Sequence, residues 1–243
     1  MKLPDLLTDL RLTWSLENHE AVAAEAARKQ WSHHQFLQHL AEGEWNRLHG
    51  LRVQRRLQQA RFPVLKTLDQ FNWEWPKRLN RLQVQDLFRL AFVKAKGNVL
   101  FLGPCGMGKT HLATALGYEA CQQGHSVLFT TAVDVVNTLA AAQATDRLKA
   151  ELKRYTRPEL LIVDELGYLP IDKLGADLLF QVFSLRYERG AMIVTTNKPF
   201  KHWPDIFNGD VTMTAAVLDR VLHHADTVVL EGTSYRMRER KPD

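Results

Sequence analysis

Eight residues, Gly103-Pro104-Cys105-Gly106-Met107-Gly108-Lys109-Thr110, spell the pattern G-x-x-x-x-G-K-[ST] between an apolar run and a helical one. No other feature constrains the fold as much, because a phosphate-binding loop works only where a buried strand enters it and a helix leaves it. The glycines let the backbone curl into a nest of N–H donors, and the following helix turns its positive end toward bound phosphate. Lys109 is then placed to reach the β- and γ-phosphates, and the Thr110 hydroxyl to ligate Mg2+. The context fits. Asn98 to Leu102 reads as a buried strand, and Thr110 to Cys121 has the apolar spacing of a helix. ATP and Mg2+ are therefore the expected cofactors, and all eight loop residues together with His111 form the expected cofactor-binding set.

A chain of 243 residues with 45% hydrophobic and 24% charged content can bury one good core and a small accessory domain. No apolar stretch approaches the ~20 residues that span a bilayer. Met1-Lys2-Leu3-Pro4-Asp5 lacks the basic-then-apolar pattern of a secretory signal, so a cytoplasmic location is expected. Cys105 and Cys121 have no metal-ligand spacing and suggest no disulfide framework. The first sixty or so residues contain no convincing strand, whereas Ala21 to Ala27 and Phe36 to Leu57 carry helix formers at helical spacing. Phe62-Pro63 interrupts the pattern, which puts a domain boundary near Lys66: a helical domain over 1–66, a nucleotide-binding domain over 67–243. A helix-like segment, Leu79 to Lys94, leads into the first strand. Further strands are expected over Ser126 to Thr130, Leu160 to Val163, Met192 to Thr195 and Thr227 to Leu230, separated by helical segments. That alternation is the signature of an α/β fold with a parallel, doubly wound sheet and its ligand at the carboxyl ends of the strands.

Leu160-Leu161-Ile162-Val163-Asp164-Glu165 is an apolar strand ending in two carboxylates, the form of a Walker B segment. Asp164 can hold Mg2+, and Glu165 can polarise the water that attacks the γ-phosphate. Thr195-Thr196-Asn197 ends the next apolar run, and Asn197 is the expected sensor of the γ-phosphate. On its own, such a tripeptide is more often a turn or a helix cap.

Taken together, GPCGMGKTHLATALG, LLIVDELGYLP, IVTTNKPF and LDRVLHHADTVVLEGTSYR resemble the IstB-like transposition helper ATPases, relatives of the helicase loader DnaC among the AAA+ ATPases. The resemblance covers nearly the whole chain. It implies an AAA+ core, an insertion-sequence origin, ATP-dependent assembly of a homo-oligomer on double-stranded DNA with ATP sites between subunits, and activation of a partner transposase. It also places an arginine finger at Arg220, acting on a neighbouring subunit's nucleotide, and a second sensor at Arg236. Only Thr233 to Asp243 follows the last expected strand, too short for the helical lid domain usual in the wider AAA+ class.

The net charge of +5 is compatible with a polyanionic partner. Between Trp45 and Lys66 there are six cations and no acid, and Arg47, Arg52, Arg55, Arg56 and Arg61 are the expected DNA contacts. At about 100° per residue Arg52, Arg55 and Arg56 share a face, apart from an apolar stripe of Val53, Leu57 and Ala60. A solvated basic helix would look the same. Two rivals share the ATPase core: a DnaC-like helicase loader acting on single-stranded DNA, and a nucleotide-dependent DNA scaffold with negligible turnover. Glu165 argues against the scaffold, since a non-hydrolysing switch has no need of a carboxylate there.

Overall fold

Helices α1 (Leu3–Asp9), α2 (Thr13–Lys29) and α3 (His33–Ala60) make up the N-terminal part of the protein. A computed structural model describes residues 2–76, 78–232 and 234–235, and the chain divides between Arg55 and Arg56 into two units, the last turn of α3 belonging to the second. In the first unit, Trp14 of α2 lies where a Cβ on Gly43 of α3 would stand, so the glycine admits the indole against the helix. Leu12 gives α2 no side-chain cap. Glu44 of α3 takes that role: it is only 5% exposed and accepts from the Ser15 N–H at 3.1 Å and from Arg47 Nε at 2.8 Å. Burial pushes the Glu44 carboxyl up, but the Ser15 N–H and the Arg47 guanidinium outweigh it and hold the carboxyl below its ordinary range.

In the second unit a five-stranded sheet is built from β1 (Asn98–Leu102), β2 (Val127–Thr131), β3 (Leu160–Leu166), β4 (Ala191–Thr196) and β5 (Ala225–Val229). Its order is β2-β3-β4-β1-β5, with every pair parallel. Alternation along the strands feeds two cores. Val99, Phe101, Ile162 and Ile193 join Leu112 and Leu116 of α6 (Lys109–Gln122) on one face, with α4 (Arg81–Leu87) and α5 (Ala91–Lys94). Leu100, Leu161, Val163 and Val194 face the other way. There they meet α7 (Ala132–Ala144), α8 (Leu148–Thr156), α9 (Lys173–Arg186) and α10 (Val211–Leu222).

The expected strands are all present, with ends moved by a few residues. The expected helix from Leu79 to Lys94 is instead two short ones: Leu90 turns into the core, fully buried, with φ at +56°, and an α-helix cannot run through that conformation. No described helix is long and apolar enough to cross a membrane.

Candidate nucleotide site

Strand order brings the separate motifs together. β1 lies beside β4 with Leu102 opposite Thr196, and the Gly103 N–H donates to Thr196 O at 3.2 Å. The loop therefore leaves the sheet next to Asn197, whose Nδ2 stands 3.7 Å from Cys105 Sγ. Gly106 and Gly108 take φ of +75° and +92°, which an L side chain rarely adopts. A Cβ on Gly108 would also lie 2.7 Å from the Phe71 ring. α6 begins at Lys109, whose Nζ donates to the carbonyls of Gly103 and Pro104, both at 2.7 Å.

The acid pair sits on a bulge. Val163 pairs with Val194 and Leu166 with Thr196, so Asp164 and Glu165 together face the single residue Thr195. Glu165 is held at φ +60°, a conformation that costs a non-glycine residue about 1–3 kcal/mol. Its N–H donates to Thr195 Oγ1 at 3.0 Å, and that hydroxyl donates to Asp164 Oδ1 at 2.5 Å. Thr110 Oγ1 donates to the same carboxylate, 3.0 Å from each oxygen. Asp164 is 4% exposed, whereas Glu165 is open to the cavity. Thr110 and Asp164 thus present adjacent hydroxyl and carboxylate oxygens, the donor class of a small hard dication such as Mg2+.

From the loop a cavity of about 770 Å3 extends to Phe71, Trp75 and Tyr235. The Tyr235 N–H donates to Gly106 O at 3.0 Å, and the Trp75 and Tyr235 rings meet edge to face at 5.5 Å. His111 Nε2 lies 2.9 Å from Thr67 O. Burial lowers the pKa of His111, so the ring is neutral near pH 7, and a bond to a carbonyl makes Nε2 the donor. His111 thus ties down the segment that carries Phe71, besides lining the cavity. Sequence reasoning did not find Phe71, Trp75, Tyr235 or the bridging role of Thr195. The aromatic run 71–75 was visible, but nothing in it shows that it folds back onto the loop.

Other expected residues lie elsewhere. Asn98, which opens β1, donates from Nδ2 to Val221 O at 2.9 Å, and Arg220 is the preceding residue of α10. Its backbone is thus at the far end of β1 from the loop, about 16 Å away at 3.3 Å per residue. The Arg220 guanidinium lies over Phe180 and donates to Ala216 O at 2.8 Å. Arg236 falls outside the described residues. Of the expected DNA contacts, Arg52, Arg55 and Arg61 are exposed and Arg56 is half-buried. Arg47 is committed to the ion pair with Glu44 at 2.7 Å. Cys121 is buried, its thiol pushed up to about 11, whereas Cys105 is exposed in the loop.

Residues 5–242 match the profile of the family described as IstB-like ATP binding protein. A Pseudomonas aeruginosa protein, named as the ATP-binding protein of insertion sequence IS21, is 40% identical over 99% of this chain and 90% of its own length. The corresponding protein of insertion sequence IS5376 from Geobacillus stearothermophilus is 38% identical over 96% and 92%. In fold, the crystal structure of the DnaC helicase loader superposes on 68% of this chain and 96% of its own, with a TM-score of 0.56 at 18% identity.

Proposed function

Because the chain belongs to the IstB-like ATP-binding protein family, we propose that it is an ATP-dependent, DNA-binding transposition helper that hydrolyses ATP, oligomerises on duplex DNA and recruits a partner transposase to the target. The observation that carries the reading is the network in which Thr110 and Thr195 both hold Asp164 while Thr195 fixes the backbone of Glu165. In this reading the loop N–H groups and Lys109 cradle the triphosphate, and Phe71, Trp75 and Tyr235 enclose the base. Thr110 and Asp164 would hold Mg2+, which would supply neutralisation of the charge developing on the phosphates. Glu165 orients and polarises the attacking water, and Asn197 senses the γ-phosphate beside it. Arg220, a strand's length from its own loop, acts on a neighbour's site, so hydrolysis requires assembly. The exposed arginines of α3 supply the DNA contacts.

Two substitutions test the reading. Lys109→Ala should abolish nucleotide binding and DNA-dependent assembly. Glu165→Gln should keep binding but trap the ATP-bound assembly, because it removes the water-polarising carboxylate and leaves the metal ligands in place. Wild-type turnover by Glu165→Gln would remove that residue from the mechanism.

A further inference from the structure

At the amino ends of the strands, remote from the nucleotide cavity, the edge strand β2 borders a second cleft of about 440 Å3. Four guanidiniums line it: Arg56 and Arg61 from the end of α3, and Arg154 and Arg157 from the end of α8. Gln59 and Ser126 add neutral donors, and no acid is among the described lining residues. Arg154 has an ion-pair partner, Glu151 at 3.0 Å; among the described residues Arg56, Arg61 and Arg157 have none. Glu159, which is exposed, accepts from the Ser126 N–H at 3.0 Å and lies 2.9 Å from His125 Nδ1.

The wall is prebuilt from below. Arg186, 1% exposed, donates to the carbonyls of Tyr155 at 2.8 Å, Pro158 at 2.9 Å and Glu159 at 3.1 Å. This fixes the segment that carries Arg157. Burial lowers the Arg186 pKa to about 10, which still leaves it charged near neutral pH. The cleft therefore has a fifth positive charge beneath its rim, and concave low-dielectric walls concentrate such a field.

We propose that this cleft binds the phosphodiester backbone of duplex DNA. The inference rests on the DNA-binding reading above and adds to it a site on the ATPase unit. Guanidinium forks match phosphate oxygens in pairs, and several of them around one cleft, three without an ion-pair partner among the described residues, suit a polymer of regularly spaced phosphates. The lining includes no element placed to read base edges, so the contact is independent of sequence.

The test is equilibrium binding of the full chain to duplex DNA, with ATP analogue, across a salt series. Arg154→Gln with Arg157→Gln should weaken binding at least tenfold and make the slope of log K against log salt shallower by about two. DNA-free nucleotide binding and the melting temperature should not change. Arg154→Lys with Arg157→Lys should keep the slope, because it keeps the charges. Arg61→Gln, on the opposite wall, should reduce the slope by about one. A wild type with steep salt dependence that none of these changes shifts would dismiss the cleft and spare the DNA reading. A wild type that binds no duplex at any salt would end both. Loss of polyglutamate binding in the Gln pair, with duplex binding intact, would assign the cleft to an acidic protein segment and overturn the proposal.

Discussion

Thr195 Oγ1 accepts the backbone N–H of Glu165 at 3.0 Å and so holds that residue at φ +60° on the bulge of β3. The same hydroxyl donates to Asp164, so one side chain on β4 holds both the backbone of Glu165 and the carboxylate of Asp164. Both depend on Thr195 being the single residue opposite two.

Thr195→Val keeps the shape and removes both bonds. Turnover should fall about 10–100-fold, the range for loss of a group that orients a metal ligand, with nucleotide affinity little changed. The unpaired Glu165 N–H should also cost about 1–3 kcal/mol of stability, while Asp164 keeps its bond from Thr110. Thr195→Ser should recover turnover, which a purely steric role would not predict. Steady-state ATPase assays beside a nucleotide-binding titration decide it; unchanged turnover in the valine variant would leave Thr195 a packing residue.

Arg220 yields a prediction about assembly. Its guanidinium is held over Phe180 and by Ala216 O, away from its own loop. Arg220→Ala should therefore bind ATP normally as a monomer yet lose turnover by about 10³-fold or more, as arginine fingers do elsewhere. Mixing it with Lys109→Ala subunits should restore some composite sites, each pairing an intact loop with an intact finger. Unchanged hydrolysis by Arg220→Ala alone would make it an ordinary surface arginine.

The nucleotide end of the fold was legible in the sequence because each part is local. The loop, the acid pair after four apolar residues, and Thr195-Thr196-Asn197 all sit at the ends of strands whose apolar runs are unmistakable. What holds them together is not local. That Thr195 faces both acids follows from the β3–β4 register and its bulge, which belong to the two strands together and not to either sequence run alone. Likewise Trp75 and Tyr235 lie 160 residues apart and meet beside the loop, where the Tyr235 N–H donates to Gly106 O. Arg47 looked like its basic neighbours because its partner, Glu44, lies just outside the acid-free stretch, one turn back along α3, and faces inward. The break in the segment from Leu79 to Lys94 came from burying Leu90, a demand of the core that helix propensity cannot show.

The Glu44–Arg47 pair gives a pH signature. The folded pKa of Glu44 is lowered from its ordinary value of 4.5, so its stabilisation is present above that value and is lost as pH falls through the lower folded pKa. Arg47→Met removes one of the groups that lower it, and burial then pushes the carboxyl upward. The variant should be less stable by about 1–3 kcal/mol at pH 7 and should begin to lose stability at a higher pH than the wild type. Melting temperatures from pH 3 to 7 would show this; parallel curves for the two proteins would mean the pair contributes nothing that titrates.

The form of DNA bound separates the transposition helper from the loader. Arg52 and Arg55 are exposed on α3 and Arg56 is half-buried, while Val53 and Ala60 of the apolar stripe are 7% and 0% exposed. The helix thus buries one face and keeps its cations on another. Replacing Arg52, Arg55 and Arg56 together with Gln preserves helix propensity. It should weaken binding to all duplex sequences alike and make the salt slope shallower by about two to three units. ATPase activity without DNA should be untouched, since none of the three lines the nucleotide cavity. A loader would instead bind single strands better than duplex of equal length in its wild-type form. Salt titrations on both DNA forms therefore test site and function together: an unchanged slope would clear Arg52, Arg55 and Arg56 of any role, and a single-strand preference would replace the transposition helper with the loader.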